Sequence, residues 1–163
     1  MAMLRLPTRE SGGRANLHQG AVGVGINLAE GVTSTAICHD TPINEHPDYG
    51  TNLAGLRLPN WNRLMTLAAS CQQIAGLGYL GVDIVLDEQL GPLILELNAR
   101  PGLAIQLANR SGLANMLHSI DRIGVVKPNA ITSLRAKTSQ QPFTAQYASQ
   151  TDPVIAKRQA TVR

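Results

Sequence analysis

The chain has 163 residues and a net charge of +3, and 44% of its residues are hydrophobic but only 3% are aromatic. This length supports one domain with an aliphatic core, and no apolar run approaches the roughly 20 residues that a membrane helix needs. The first residues lack the apolar segment of a signal peptide, and Cys38 and Cys71 lack metal-ligand spacing. We therefore predict buried free thiols and a cytoplasmic location, because that compartment keeps thiols reduced.

The charge is divided unevenly along the chain. Residues 1–124 hold eight Arg, no Lys and ten Asp or Glu, a sum of −2, whereas residues 125–163 sum to +5. The second part is rich in Ser, Thr, Gln and Ala without an apolar period, which predicts a disordered basic tail. Such a tail can also bind nucleic acid, but it lacks aromatic stacking residues beside its charges, so we rank that interpretation last.

The N-terminal half of the chain predicts strands joined by loops. Residues 1–5 are apolar, and in residues 21–28 apolar side chains alternate with glycine, so both segments are predicted strands. Residues 8–20 are polar with three glycines and predict a loop. Residues 33–37 favour a further strand, and residues 39–60, with prolines and no periodic pattern, predict a long surface loop.

The following segment predicts a helix, a hairpin and a second helix, and so an α/β fold of the α+β type, an antiparallel sheet with flanking helices. Asn60 is the predicted N-cap of a helix that ends at Gly76. Two strands, residues 81–87 and 93–98, follow around a short turn. A last helix is predicted from about Ser111. The side chains predicted to face inward are Leu64, Leu67, Ala68, Cys71, Ile74 and Ala75 in the first helix, and Leu113, Met116, Leu117, Ile120 and Ile123 in the last.

Two carboxylates face each other in the predicted hairpin. If Asp87 pairs with Pro92 around a four-residue turn, Asp83 lies opposite Glu96 with the two Cβ atoms about 5 Å apart. Alternate residues of a strand share a face, so Asn98 lies on the same side as Glu96. Two like charges in an apolar hairpin are unfavourable unless one carboxyl is protonated or a cation lies between them. Carboxylate and amide oxygens suit Mg²⁺, which keeps water or phosphate in its shell.

Two interpretations of this hairpin remain open. The polar side chains could form the outer face of an ordinary hairpin, and a slip of one residue would turn Asp83 to the opposite face. Arg100 favours a site, because it lies two residues beyond Asn98, on the same face if the strand continues, and beside a Pro-Gly break. An acidic pair, an amide and an arginine together indicate a phosphate–metal site.

The sequence here resembles the C-terminal half of the ATP-grasp carboxylate–amine ligases. The resemblance lies in Gly-Val-Asp-Ile at 81–84, Leu-Glu-Leu-Asn at 95–98 and Pro-Gly at 101–102. Upstream, Arg-Ala-Asn-Leu-His-Gln-Gly at 14–20 resembles the RimK-type ligases, which add glutamate to a ribosomal protein. Residues 78–83 and 97–103 look closer to the alpha-L-glutamate ligase-like branch. The resemblance implies a partial ATP-grasp C-terminal lobe at residues 1–124, followed by the tail at 125–163, which matches nothing known.

The resemblance also implies a metal site and a reaction. Asp83, Glu96 and Asn98 would bind two Mg²⁺ ions that bridge the ATP phosphates, with Mn²⁺ as an alternative. A carboxylate would attack the γ-phosphate to give an acyl phosphate, and an amine would then displace phosphate to form an amide. The implied partners are ATP, a glutamate-like amino acid and a carboxylate or peptide acceptor, without a membrane.

The resemblance implies roles for five further residues. Arg14 would contact phosphate, Ala15 would belong to the cofactor-binding stretch, and Asn16 would contact the nucleotide or the developing acyl phosphate. Leu95 would pack under the adenine. Arg100 stands where RimK-type ligases usually have a serine, and it is assigned a phosphate-facing role close to the reacting atoms.

Residues 1–124 depart from the family in one respect. The N-terminal lobe of these ligases brings lysines to the α and β phosphates, but residues 1–124 contain no lysine. We therefore expect a truncated or split ligase that lacks its N-terminal lobe, binds Mg-ATP weakly on its own and turns over little. The alternative is a non-catalytic nucleotide-binding remnant of such a ligase.

Overall fold

The computed structural model describes residues 1–123 and 160–162. Within them, an antiparallel sheet has the strand order β4-β3-β2-β1-β7-β5-β6, and this confirms the predicted mixed α/β class. The strands are β1 (Ala2–Leu6), β2 (Val22–Asn27), β3 (Val32–Cys38), β4 (Thr41–Ile43), β5 (Gly81–Asp87), β6 (Gly91–Asn98) and β7 (Ala160–Val162). The helices are α1 (Trp61–Ala75), α2 (Ala104–Ala108) and α3 (Leu113–Ile123), with a 3-10 helix at Leu17–Gln19.

One face of the sheet carries the main core. Side chains alternate between the two faces of a strand, and Leu4, Val22 and Val24 are fully buried on this one. Helix α1 covers the face with Trp61 and Leu64, which belong to the same cluster of buried side chains. The predicted arrangement of β2, with valines on one side and glycines on the other, is confirmed.

Helix α2 packs closely against the opposite face of the sheet. Gly25 permits this approach, because a Cβ there would lie 2.5 Å from the carbonyl oxygen of Ala108. The hydroxyl of Thr35 donates to that same carbonyl, and the amide of Asn109 donates to the carbonyl of Ala2 at 3.0 Å. These bonds hold α2 over β1, β2 and β3.

Residues 39–60 contribute to the core, so the predicted long surface loop is wrong in part. The segment contains β4, and its Leu53 and Leu58 are 2% and 4% exposed. The hydroxyl of Thr33 donates to the carbonyl of Leu53 and accepts the N–H of Leu56, which fixes the segment against β3. Isolated leucines without a period give no sequence signal for this packing.

Helix α1 spans Trp61–Ala75 and ends at Gly76, as predicted, but the capping at its N-terminus differs. Asn60 is the N-cap residue, as predicted, but its φ is 54° and its side chain makes no capping bond. Its carbonyl accepts the N–H of Leu64 at 3.0 Å, the first hydrogen bond of the helix. Ile74, predicted to face inward, is 84% exposed because it lies in the last turn.

The final helix also differs from its prediction. It begins at Leu113, and Leu117 and Ile120, both predicted to face inward, are 38% and 57% exposed. Among the described residues, no helix combines the length and apolarity needed to cross a membrane. Cys38 and Cys71 are free thiols, as predicted. Burial raises the pKa of the Cys38 thiol.

The predicted disordered tail, residues 125–163, lies outside the described residues except at Ala160–Val162. These three residues form β7, so the predicted disorder is wrong there. β7 pairs with β1 on one side and with β5 on the other. Backbone pairing on two sides favours a strand that local composition does not indicate. At the far edge of the sheet, β6 is the outer strand, and its leucines at 93, 95 and 97 are exposed.

Candidate functional site

Strands β5 and β6 bring the two predicted carboxylates opposite each other. Asp83 pairs with Glu96, and Gly81 pairs with Asn98. Directly opposite residues of antiparallel strands share a face, so the side chains of Asp83, Glu96 and Asn98 lie on one side of the hairpin. Asp83 is only 4% exposed whereas Glu96 is exposed, so the polar group extends from the interior to the surface.

The turn of this hairpin differs from its prediction. Asp87 pairs with Gly91 rather than with Pro92, so three residues form the turn instead of four. The carboxylate of Asp87 accepts hydrogen bonds from the N–H groups of Leu90 and Gln89, at 2.8 and 2.9 Å, and these bonds lower its pKa. Gly91, with a φ of 77°, then leads the chain into β6.

A β-bulge in β6 restores the facing pair. Ile84 pairs with Ile94, but the next residue back, Asp83, pairs with Glu96, so Leu95 is an extra residue. If the register at the turn continued unchanged, Asp83 would pair with Leu95 and Glu96 would face the opposite side. Leu95, predicted to lie under the adenine, is 60% exposed. Its adenine contact stays a prediction.

Arg5 is the residue of this site that the sequence interpretation missed. It lies in β1, and its Nη2 is 3.3 Å from Oδ2 of Asp83. The two side chains are 15% and 6% exposed, so the ion pair is largely buried. The guanidinium of Arg5 thus compensates the charge of Asp83. This is a third way to relieve the repulsion between the two carboxylates, beside protonation and a bound metal. In the sequence, the one feature that points to Arg5 is that it is a lone arginine within an otherwise apolar predicted strand.

The donor set of the hairpin fits a hard cation after one side-chain movement. The amide nitrogen of Asn98 donates to Oε1 of Glu96 at 2.5 Å, so this amide has to turn over before its oxygen can bind a metal. Within the described residues, no group of three His, Cys, Asp or Glu side chains could hold a metal. Asn98 is the third predicted ligand beside the two carboxylates, and three oxygens on one face would suit Mg²⁺, so the metal-binding role of these residues stays a prediction.

Arg100 lies beyond the end of β6, which stops at Asn98. The strand alternation therefore does not extend to Arg100, so the condition for placing it on the Glu96 face is not met, and its phosphate-facing role stays a prediction. The next residue, Pro101, closes over the start of β5, because a Cβ on Gly81 would lie 2.6 Å from its Cβ. Arg100 thus lies near the Gly81–Asn98 end of the hairpin, and its side chain is exposed.

The predicted nucleotide-contacting loop lies on the same face of the sheet as Arg5. Asn16 caps the 3-10 helix with its side-chain oxygen. A Cβ on Gly23 would lie 3.2 Å from Leu17, and Gly23 pairs with Arg5. Because paired residues share a face, the 3-10 helix and the ion pair of Arg5 lie on one side of the sheet.

Arg14 and Ala15 precede this 3-10 helix. Arg14 is exposed and Ala15 is half-buried. The loop is anchored upstream, where the N–H of Thr8 donates to Oγ of Ser11 at 2.9 Å and the N–H of Ser11 donates to Oγ1 of Thr8 at 3.0 Å. The loop therefore has local support and presents Arg14 to solvent, and the contacts of Arg14, Ala15 and Asn16 with a nucleotide stay predictions.

The predicted site is separate from one depression that the described residues form. An open depression of about 400 Å³ lies elsewhere, between α2 and the β3–β4 turn, with Asp40 and Arg110 at its rim. Asp83, Glu96 and Asn98 do not line this depression.

Comparison with known proteins assigns the fold independently. A family model described as sugar-transfer associated ATP-grasp matches residues 1–122. No curated protein and no solved structure matches the chain significantly. The family match supports an ATP-grasp fold, ATP as a ligand with Mg²⁺, and an enzyme of the ATP-dependent ligase type in general. It gives no support for glutamate as a substrate, because the family is associated with sugar transfer.

Proposed function

Because the chain belongs to the sugar-transfer associated ATP-grasp family, we propose that residues 1–122 form the Mg-ATP-binding part of a ligase that activates a carboxylate. The observation that supports this proposal best is the pairing of Asp83 with Glu96, with Asn98 on the same face. Asp83 is buried at 4% exposure, where Arg5 compensates its charge, and it lies opposite the exposed carboxylate of Glu96.

In this proposal Asp83, Glu96 and Asn98 hold the cation through oxygen atoms. Mg²⁺, when bound, neutralises charge on the phosphates and orients them. Arg5 holds the carboxylate of Asp83 in place from the neighbouring part of the sheet. Arg14 and Arg100, both exposed, provide guanidinium groups that contact phosphate oxygens.

The proposed reaction has two displacement steps. A carboxylate oxygen of the substrate attacks the γ-phosphorus, the bond to the β–γ bridging oxygen breaks, and ADP leaves. An amine then attacks the acyl carbon, and inorganic phosphate leaves with the bonding electron pair. The first step needs mainly alignment and charge neutralisation, which residues that bind phosphate and metal supply. The glutamate-like donor and the carboxylate or peptide acceptor come only from the RimK-type resemblance and stay predictions.

Isothermal titration of the purified chain with Mg-ATP tests this proposal. We expect saturable, Mg²⁺-dependent binding that the double variant Asp83→Asn, Glu96→Gln weakens at least about tenfold, as the loss of metal-site groups does elsewhere. The matched control is Glu88→Gln, which removes one carboxylate from the exposed turn of the same hairpin. Equal affinity in the double variant and the wild type would refute the assignment.

A second candidate is a nucleotide-binding module without catalysis. The absence of lysine from residues 1–124 favours it, because lysines commonly neutralise nucleotide phosphates. An ADP-release assay on the same samples separates the two candidates. Binding with release of ADP above the level of the double variant supports the ligase, whereas binding without release supports the module.

A further inference from the structure

Strand β7 is the backbone connection between two parts of the sheet. It pairs with β1 at Leu4 and Arg5, and with β5 at Ile84, Val85 and Leu86. In the described strand order, β7 separates β4-β3-β2-β1 from the hairpin β5-β6. The slot between β1 and β5 is therefore filled by a segment from the far end of the chain.

The walls of this slot are buried and longer than the strand inside it. β1 has five residues and β5 has seven, whereas β7 has three. Leu4 is 0% exposed on one wall and Ile84 is 2% exposed on the other. Buried backbone N–H and C=O groups require hydrogen-bond partners, so the two walls require a strand between them.

Strand β7, which fills the slot, also lies beneath the ion pair between Arg5 and Asp83. Arg5 pairs in register with Thr161, and Asp83 directly precedes Ile84, which pairs with Val162. The bond of 3.3 Å from Arg5 to Asp83 therefore crosses over β7. Two strand spacings of about 4.8 Å separate the backbones of β1 and β5 when a strand lies between them. The presence of β7 thus sets the separation at which Arg5 reaches Asp83.

A three-residue strand provides few ladder hydrogen bonds, so little free energy holds it in the slot. We propose that docking of Ala160–Val162 into the slot between β1 and β5 is reversible and completes the cation site, so that this segment acts as a removable strand that switches the site on. The part of this inference that concerns the cation rests on the proposed function, whereas the docking of the strand does not.

The first test compares backbone amide hydrogen exchange in the full chain and in a chain that ends at Arg158. We expect exchange in β1 and β5 to rise at least tenfold on truncation, while the amides of β2 that pair with β3 change little. A synthetic peptide of residues 157–163, added in trans, restores protection, and the same peptide with Thr161→Pro does not, because proline lacks the N–H of a paired strand. Unchanged exchange on truncation, or no protection by the peptide, overturns the proposal.

Two full-length variants keep the test decisive if the truncated chain does not fold. Thr161→Pro removes a backbone N–H from β7, whereas the matched control Thr161→Val retains it. We expect faster exchange in β1 and β5 only in the proline variant, and equal exchange in the two variants overturns the proposal. A dimer that forms with increasing concentration and is lost on truncation assigns the slot to the strand of a second copy and overturns docking within one chain.

Mn²⁺ binding, followed by electron paramagnetic resonance, tests the coupling to the cation site. We expect truncation to weaken Mn²⁺ binding at least tenfold and the peptide to restore it. Equal Mn²⁺ affinity with and without the strand overturns the coupling. A full chain that binds no Mn²⁺ contradicts the proposed function instead, and hydrogen exchange still decides whether the strand docks reversibly.

Discussion

At the scale of single residues, Arg5 and Asp83 form an ion pair between two strands that are not neighbours. The two side chains are 15% and 6% exposed, so both charges have lost most of their hydration. Such pairs add little net stability, yet removal of one partner is costly because the other charge stays buried. Arg5 therefore holds the carboxylate of Asp83 in a fixed position, and this makes Arg5 part of the energetics of the proposed metal site.

The variant Asp83→Asn keeps the size of the side chain but leaves Arg5 opposite a neutral group. We expect it to lower the free energy of unfolding by about 3 kcal/mol, measured by urea denaturation. The exposed control Glu88→Gln should change it by less than about 0.5 kcal/mol. Arg5→Met combined with Asp83→Leu removes both charges and should recover most of the loss. A double variant as unstable as the single one would contradict the assignment of a buried ion pair.

Gly31 provides a second residue-scale prediction. Its φ is 66°, and an added Cβ would lie 2.4 Å from Cγ of Trp61. Gly31→Ala should therefore lower the free energy of unfolding by about 3 kcal/mol, through backbone strain and overpacking together.

Gly55→Ala is the matched control for this prediction. Gly55 has a φ of 80° with no atom within 4 Å of an added Cβ, so only the backbone strain remains. We expect a loss of about 1 kcal/mol by chemical denaturation, because that is the typical cost of a left-handed alanine. Similar losses for the two variants would show that Trp61 does not pack against Gly31 in solution.

At the scale of elements, the hairpin combines a turn register with a bulge. Pairing at the turn alone would separate Asp83 and Glu96, and the extra residue Leu95 brings them back to one face. Two departures from the predicted register therefore cancel. The turn is one residue shorter than predicted, and the bulge then shifts the pairing of β6 by one residue in the opposite sense. This is why the facing pair could be predicted from a register that is wrong near the turn.

Two single-residue deletions in β6 test this register. Deletion of Leu95 removes the bulge but leaves Glu96 opposite Asp83, because Glu96 then directly follows Ile94 in a regular strand. Deletion of Leu97 shortens β6 equally but moves Asn98 opposite Val82, on the other face. We expect Mn²⁺ binding to persist in the first variant and to weaken at least about tenfold in the second.

Each deletion serves as the control for the other, since both remove one leucine from β6. Only deletion of Leu97 also shifts Arg100 and Pro101 by one position relative to β5. Circular dichroism checks that both variants fold. Equal Mn²⁺ affinities would show that Asn98 does not contribute to the site. A loss of affinity on deletion of Leu95 alone would show that the bulge has a further role in holding Glu96.

At the scale of the whole molecule, the sequence reveals elements with strong local patterns and misses those that depend on distant partners. The alternation in β2 and the stripe in α1 define these elements without tertiary information. Helix α2, with five residues, and β7, with three, are too short to show a period. The bond between Arg5 and Asp83 is invisible to any local pattern, because it joins residues that only the strand order brings together.

The bulge at Leu95 has a consequence for the solubility of the protein. Among the described strands β6 is an outer one with exposed leucines, so its outer backbone edge could template the stacking of other copies into an extended sheet. An extra residue interrupts the regular spacing of donors and acceptors along that edge, and so makes it a poor template. The bulge should therefore also limit self-association, and deletion of Leu95, which leaves Glu96 opposite Asp83, should retain metal binding while making concentrated solutions turbid.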